Sequence, residues 1–222
     1  MRTSLVKVSA IAALLAASAT LPAQAAIVFS DTFNYGSTSQ LNWTPPSGSG
    51  WSITGGTVDY IVAPNSWNLT CATSSDGCID LDGSTGNAGL MSNSTYVLQA
   101  GTTYTLSALV SGNQRGGAAD SLLFGFRDAN GVIVDPDPLR LTTQLISGIA
   151  ANAGYTLYSL VFVPTATITG VSIFFEAGGG DNVGPMLDNV TLTTVPLPAA
   201  AWLLLSGLVG FAALGRRRTM AA

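Results

Sequence analysis

The side chains able to do chemistry in this 222-residue chain are carboxylates and little else. Residues 26–194 hold eleven Asp and one Glu, from Asp31 to Asp188, against three cations, Arg115, Arg127 and Arg140. Their net charge is therefore about −9. No histidine occurs anywhere. That removes Ser-His-Asp and Cys-His catalysis, His-ligated zinc and imidazole acid–base work. Paired carboxylates are the catalytic option left: Glu176 and an Asp could serve as acid and base on a glycosidic bond. Nothing in the spacing sets such a pair, and Glu176 beside Ala177-Gly178 reads as a solvated strand end. The domain is read as non-enzymatic. Asp76, Asp80 and Asp82 make an acidic cluster whose ordinary explanation is solvation.

The charge also selects partners. A basic groove for nucleic acid is not available, and anionic lipid is a poor match for this stretch. Divalent cations and neutral sugars fit better. Sugar rings stack on aromatic faces while polar groups orient them. Trp43, Trp51, Trp67 and Tyr60 are the available aromatics. Trp51 opens an expected strand and reads as core. Trp67, among Pro, Asn and Ser, is the best platform candidate, with Tyr60 beside it as a second ligand-facing residue; packing of Trp67 on a disulfide is its competing explanation. Cys71 and Cys78 are the only cysteines, and a close pair around Asp76-Gly77 reads as a small disulfide loop.

The elements that must carry these groups are strands. Gly, Ser, Thr and Asn are abundant and long helical patterns are absent from the middle. Strands are expected over Ile27–Phe33, Trp51–Ile53, Thr57–Val62, Ala88–Gln99, Thr103–Ser111, Leu122–Phe126, Val132–Val134, Leu139–Ile146, Tyr155–Val163, Thr169–Glu176 and Met186–Thr193. Trp51–Ile53 and Thr57–Val62 look joined at Gly55-Gly56. Residues 63–78 read as an irregular excursion. Asp80 and Asp82 share one face of an extended Ile79–Gly83. The spacing predicts one all-β domain, an antiparallel sandwich over 26–194, about 169 residues and enough for a sizeable core.

Both chain ends are apolar, which inflates the mean hydropathy of +0.42. Arg2 and Lys7 precede an apolar stretch from Val8 to Leu21, and Ala23-Gln24-Ala25 is an Ala-x-Ala site, so residues 1–25 read as a signal peptide cleaved before Ala26. At the other end Val195-Pro196-Leu197-Pro198 leads into an uncharged run from Ala199 to Leu214, then Gly215 and Arg216-Arg217-Arg218. A span of about 197–215 is near the short limit for a hydrocarbon core of roughly 30 Å. The arginines mark its cytoplasmic end.

Residues 195–218, from Val195-Pro196-Leu197-Pro198-Ala199 to Arg216, Arg217 and Arg218, resemble the PEP-CTERM sorting signal in its VPLPA variant. Leu197 stands where the commonest form has Glu. The resemblance implies an exosortase as partner, an inner-membrane intermediate held by the C-terminal helix, and a final place at the cell surface or in a biofilm matrix. A plain permanent anchor is the alternative. A second, more diffuse resemblance runs through Val28-Phe-Ser-Asp-Thr-Phe-Asn34, Trp51, Val58-Asp59, Cys78 to Ser84, Ala100 to Leu106 and Leu187-Asp-Asn-Val-Thr-Leu192. These stretches are similar to the galactose-binding-like jelly rolls of carbohydrate-binding modules. That likeness implies a jelly-roll fold and binding of exopolysaccharide or another glycan. It also implies a structural calcium tying first strand to last, through Asp31 or Asn34 and Asp188; simple satisfaction of nearby backbone groups by Asp188 is the other explanation. The rival functions are a secreted carboxylate-dependent glycan-processing enzyme and an anchored structural protein with no ligand.

Overall fold

Alternation decides most of the architecture. Along Thr103–Ser111 the side chains of Tyr104, Leu106, Ala108 and Val110 are buried, while Thr105, Ser107 and Leu109 lie half-buried on the other face. A period of two does this because successive side chains leave a strand on opposite sides. The computed structural model describes residues 25–128 and 143–195. Every regular element among them is a strand: β1 (Ala26–Asp31), β2 (Trp51–Thr54), β3 (Asp59–Val62), β4 (Gly77–Asp80), β5 (Leu90–Leu98), β6 (Thr103–Ser111), β7 (Asp120–Arg127), β8 (Thr143–Ile149), β9 (Thr156–Phe162), β10 (Ile168–Ala177) and β11 (Met186–Val195). No helix long and apolar enough to cross a membrane occurs among the described residues. The apolar N-terminal stretch, the tail from Pro196, the strand expected at 132–134 and the first part, 139–142, of the one expected at 139–146 lie outside them.

The strands form two antiparallel sheets. One runs β3-β4-β11-β6-β9, with β1 also on β11; the other runs β2-β5-β10-β7-β8. β11 is shared out along its length. Met186 and Leu187 pair with β4, and Val190 to Thr194 pair with β1. The chain crosses between sheets at nearly every connection, so the core is assembled from both. Phe126 of β7 meets Phe162 of β9 across the sandwich at 5.7 Å between ring centroids. Phe124 and Phe175 stack with nearly parallel rings on neighbouring strands. Leu106, Leu122, Ile173 and Leu192 are fully buried in the same cluster. Each such side chain contributes about 1.5–3 kcal/mol. Residues Ala26–Thr194 form one compact unit around this core.

Two local expectations change. Trp51–Thr54 and Asp59–Val62 are not paired: β2 joins β5 in one sheet and β3 joins β4 in the other. The chain turns at Gly55, whose φ of 79° suits glycine. The excursion after β3 is also shorter than expected, because Gly77 and Cys78 already belong to β4.

Candidate functional site

The loop after β3 is built around one side chain. Asn65 Oδ1 accepts from the backbone N–H of Trp67 and Leu69, and its Nδ2 donates to the carbonyls of Val62 and Leu69. Further along, Thr70 is tied to Gln114 by three hydrogen bonds, and Tyr155 Oη donates to the Thr70 carbonyl. The Cys71–Cys78 disulfide, Cα–Cα 5.4 Å, closes the loop onto β4. Beneath it Ile61, Leu69, Cys71, Cys78 and Met186 make a small second core with Tyr155 against it. Trp67 is not part of that core. It stands 36% exposed, the one aromatic among the exposed large hydrophobics described. The result is a loop pinned by hydrogen bonds and the disulfide, with Trp67 partly exposed on it.

Tyr60 is the reverse case. It is fully buried, stacks on Trp43 at 5.5 Å, and donates its hydroxyl to the Gly36 carbonyl while accepting from the Tyr35 N–H. Burial leaves it no face for a sugar, which corrects its placement as a ligand contact. Near it Asn42, Trp43, Thr44, Pro45, Trp51, Ser52 and Thr57 line an open cleft of about 370 Å³. Trp51 is core, as its place at the start of a strand suggested, Trp43 is buried too, and both line this one cleft.

Asp31 and Asp188 lie on paired strands but serve different neighbours. Asp31 accepts from the Phe33 N–H at 2.7 Å, the Tyr35 hydroxyl at 2.5 Å and the Trp51 indole N–H at 2.6 Å. Burial, then Asp31, push the Tyr35 phenol strongly upward. Asp188 accepts from the backbone N–H of Ala72 and Asn189. Burial pushes its carboxyl up to about 6 against those bonds. Asn34 is exposed. Each carboxylate therefore satisfies nearby donors, which is the second of the two explanations weighed for Asp188. Glu176 is exposed and faces Leu90 and Leu123 across its two pairings, so no carboxylate stands directly opposite it.

The acidic cluster is where sequence reasoning missed most. Asp80 and Asp82 are each 1% exposed, not solvated. Asp80 Oδ2 accepts from Arg115 at 2.5 Å, and its Oδ1 accepts from the N–H of Asp82 and Gly184. Burial nonetheless raises its carboxyl to about 7, with Arg115 opposing. Arg115 also donates to the Asn182 carbonyl and so clasps the loop before β11. Asp82 Oδ2 accepts from the N–H of Gly180 and Asp181. That loop meets the start of β7 around a recess of about 230 Å³, lined by Ala118, Ala119, Asp120, Gly178 to Gly180 and Asp181. Asp76 of the expected cluster is elsewhere, hydrogen-bonded to Ser75. Of the sorting and cleavage residues, Ala25, Ala26 and Val195 are described at the two ends of the domain; Ala23, Pro196, Leu197, Pro198, Ala199, Arg216, Arg217 and Arg218 lie outside the described residues.

No family model matches the chain, and no curated protein does. Among solved structures, a cyclase from Fischerella sp. TAU is similar over 78% of this chain and 98% of its own, at 14% identity and a TM-score of 0.51. An arabinose-bound GH51 α-L-arabinofuranosidase matches 69% of this chain at 15% identity and a TM-score of 0.49; this chain spans about a quarter of that enzyme. The CBM22-1 xylan-binding domain of Paenibacillus barcinonensis Xyn10C matches 79% of this chain and 99% of its own, at 16% identity and a TM-score of 0.46. At these identities the likeness is one of fold, and the cyclase match runs over nearly the whole of that protein.

Proposed function

We propose that this chain is an exported surface or matrix protein whose jelly-roll ectodomain binds a neutral glycan through Trp67. The observation that carries the reading is the exposed indole on a loop pinned by Asn65, Gln114 and the disulfide. A pre-formed aromatic platform loses little freedom on binding, and its flat face suits a sugar ring. The charge of about −9 favours neutral over anionic polysaccharide. The PEP-CTERM-like tail supports sorting by an exosortase and delivery outward from the inner membrane. In that scheme Val195 is both the last residue of β11 and the first of the expected processing segment 195–199.

Affinity electrophoresis of residues 26–194 through gels of neutral polysaccharides tests the binding. Retardation is expected in at least one neutral gel, and W67A should weaken it by roughly tenfold or more, about 1.4 kcal/mol. No retardation, or full retention by W67A, refutes the Trp67 site. The polar cleft beside Trp43 and Trp51 is a second place for the same ligand. T44W, which fills that cleft, should leave binding unchanged; loss in T44W but not W67A moves the site there. Intact mass of the surface form tests the sorting: the chain should end before residue 200, and retention of Arg216–Ala222 in a strain with an exosortase excludes it.

A further inference from the structure

One side of the sandwich is open and uncharged. From Leu141 to Phe175 the sequence carries no charged residue, within a domain of net charge about −9. That stretch supplies β8 and β9, the end strands of the two sheets among the described residues. The Phe126–Phe162 contact sets β9 over β7, the neighbour of β8, so both end strands border the same side. An exposed sheet edge is a template for another strand, and folded proteins blunt it with charge, proline, bulges or short length. The opposite edges follow that rule. β2 and β3 have four residues each, and the far side of β3 is taken by Gln40, which exchanges two backbone hydrogen bonds with Tyr60. β9 uses none of these devices. Its seven residues include no Pro, no Gly and no charge, and they pair with β6 without a register shift. Leu157 and Val161 on its outer face are 61% and 57% exposed, and Leu145 of β8 is 66% exposed.

We propose that β9 pairs with the β9 of a second copy of this chain, antiparallel about a two-fold axis at Ser159, so that the six-stranded sheet continues through the dimer. The strand is self-complementary in that register. Leu157 and Val161 lie two residues either side of Ser159, so Leu157 of one copy stands opposite Val161 of the other, and Tyr158 opposite Leu160. The exposed aliphatic side chains thus cover each other on the outer face. Edge N–H and C=O groups left to water in the monomer gain a ladder of partners. Charge selects a second copy as the occupant. Two domains of about −9 repel where their acidic surfaces meet, and this edge lets them approach with no charged side chain on the pairing strands. Two copies then carry two Trp67 loops, which would raise avidity for a repeating polysaccharide; that consequence alone rests on the glycan reading.

The test is the oligomeric state of the full-length chain in detergent, read by sedimentation velocity. The wild type should dimerise with a roughly micromolar Kd, the weak end of the range for interfaces between folded domains. V161K puts a charge opposite Leu157 and should weaken the dimer by about tenfold or more. V97K, at an exposed valine of β5 next to the opposite edge, should leave it intact. Added sodium chloride should strengthen the dimer, because it screens the repulsion between the two acidic domains. S159C under mild oxidation should give a covalent dimer: opposite residues of an antiparallel pair lie about 4.5–5.5 Å apart at Cα, within disulfide reach. S107C, one strand further from the axis, should not cross-link. If V161K fails to fold, the contrast between S159C and S107C decides. The proposal is overturned by a monomeric wild type, or by equal cross-linking of S159C and S107C. It is also overturned by a dimer that V161K leaves unchanged, the result expected if the apolar tail associates instead.

Discussion

Replacing Asp31 separates hydrogen bonding from metal binding at the end of β1. Its carboxylate takes three donors: the Phe33 N–H, the Tyr35 hydroxyl and the Trp51 indole N–H. Phe33 is 0% and Trp51 7% exposed, so water cannot readily replace Asp31 for those two. A hydrogen bond to a charged group contributes about 1.5–3 kcal/mol, and an orphaned buried donor costs about 1–3 kcal/mol. D31A should therefore destabilise by about 3–5 kcal/mol, most of which comes from the Phe33 and Trp51 donors. D31N keeps one acceptor oxygen and the shape, and should lose about 1–2 kcal/mol. A domain of this size has only about 5–15 kcal/mol in hand, so D31N is the safer reporter. Urea unfolding followed by tryptophan fluorescence, in chelator and in millimolar calcium, reads both. The losses should be the same in the two buffers. A D31A loss under about 1 kcal/mol, or one that appears only with calcium, would refute the reasoning and return Asp31 to a metal site.

Opening the disulfide with C71S/C78S should cost about 2.5 kcal/mol, because the closed loop is short; a midpoint unchanged in urea would mean the Asn65 and Gln114 bonds hold the loop unaided. Asp188 predicts the pH dependence. Its folded pKa of about 6 lies above the ordinary 3.8, so the folded state binds the proton more tightly, and stability present below about pH 4 is lost as pH rises through 6. The fall is at most about 3 kcal/mol. D188N should show a shallower fall in melting temperature between pH 4 and 7, and identical slopes would remove Asp188 from the account.

Local pattern determined a good deal here. The run Tyr104 to Val110 alternates so regularly that Thr103–Ser111 could be bounded as a strand from sequence, and β6 has those limits. Pairing of the lone cysteines followed from their closeness, and the company of Pro, Asn and Ser marked the loop that exposes Trp67. These features depend on residues near one another in the chain. What tertiary structure decided depends on residues far apart. Ile79-Asp80-Leu81-Asp82 alternates like a half-solvated strand, yet both acids are buried, because a loop about a hundred residues later donates its backbone N–H groups to them and Arg115 arrives from 35 residues away. Tyr60 looks like a free aromatic until Trp43, Tyr35 and the Gly36 carbonyl close around it. Which sheet β2 and β3 join is likewise set by β5 and β4, not by the Gly55-Gly56 turn between them. Burial of a charge is affordable only with its partners in place, and those partners are chosen by the fold.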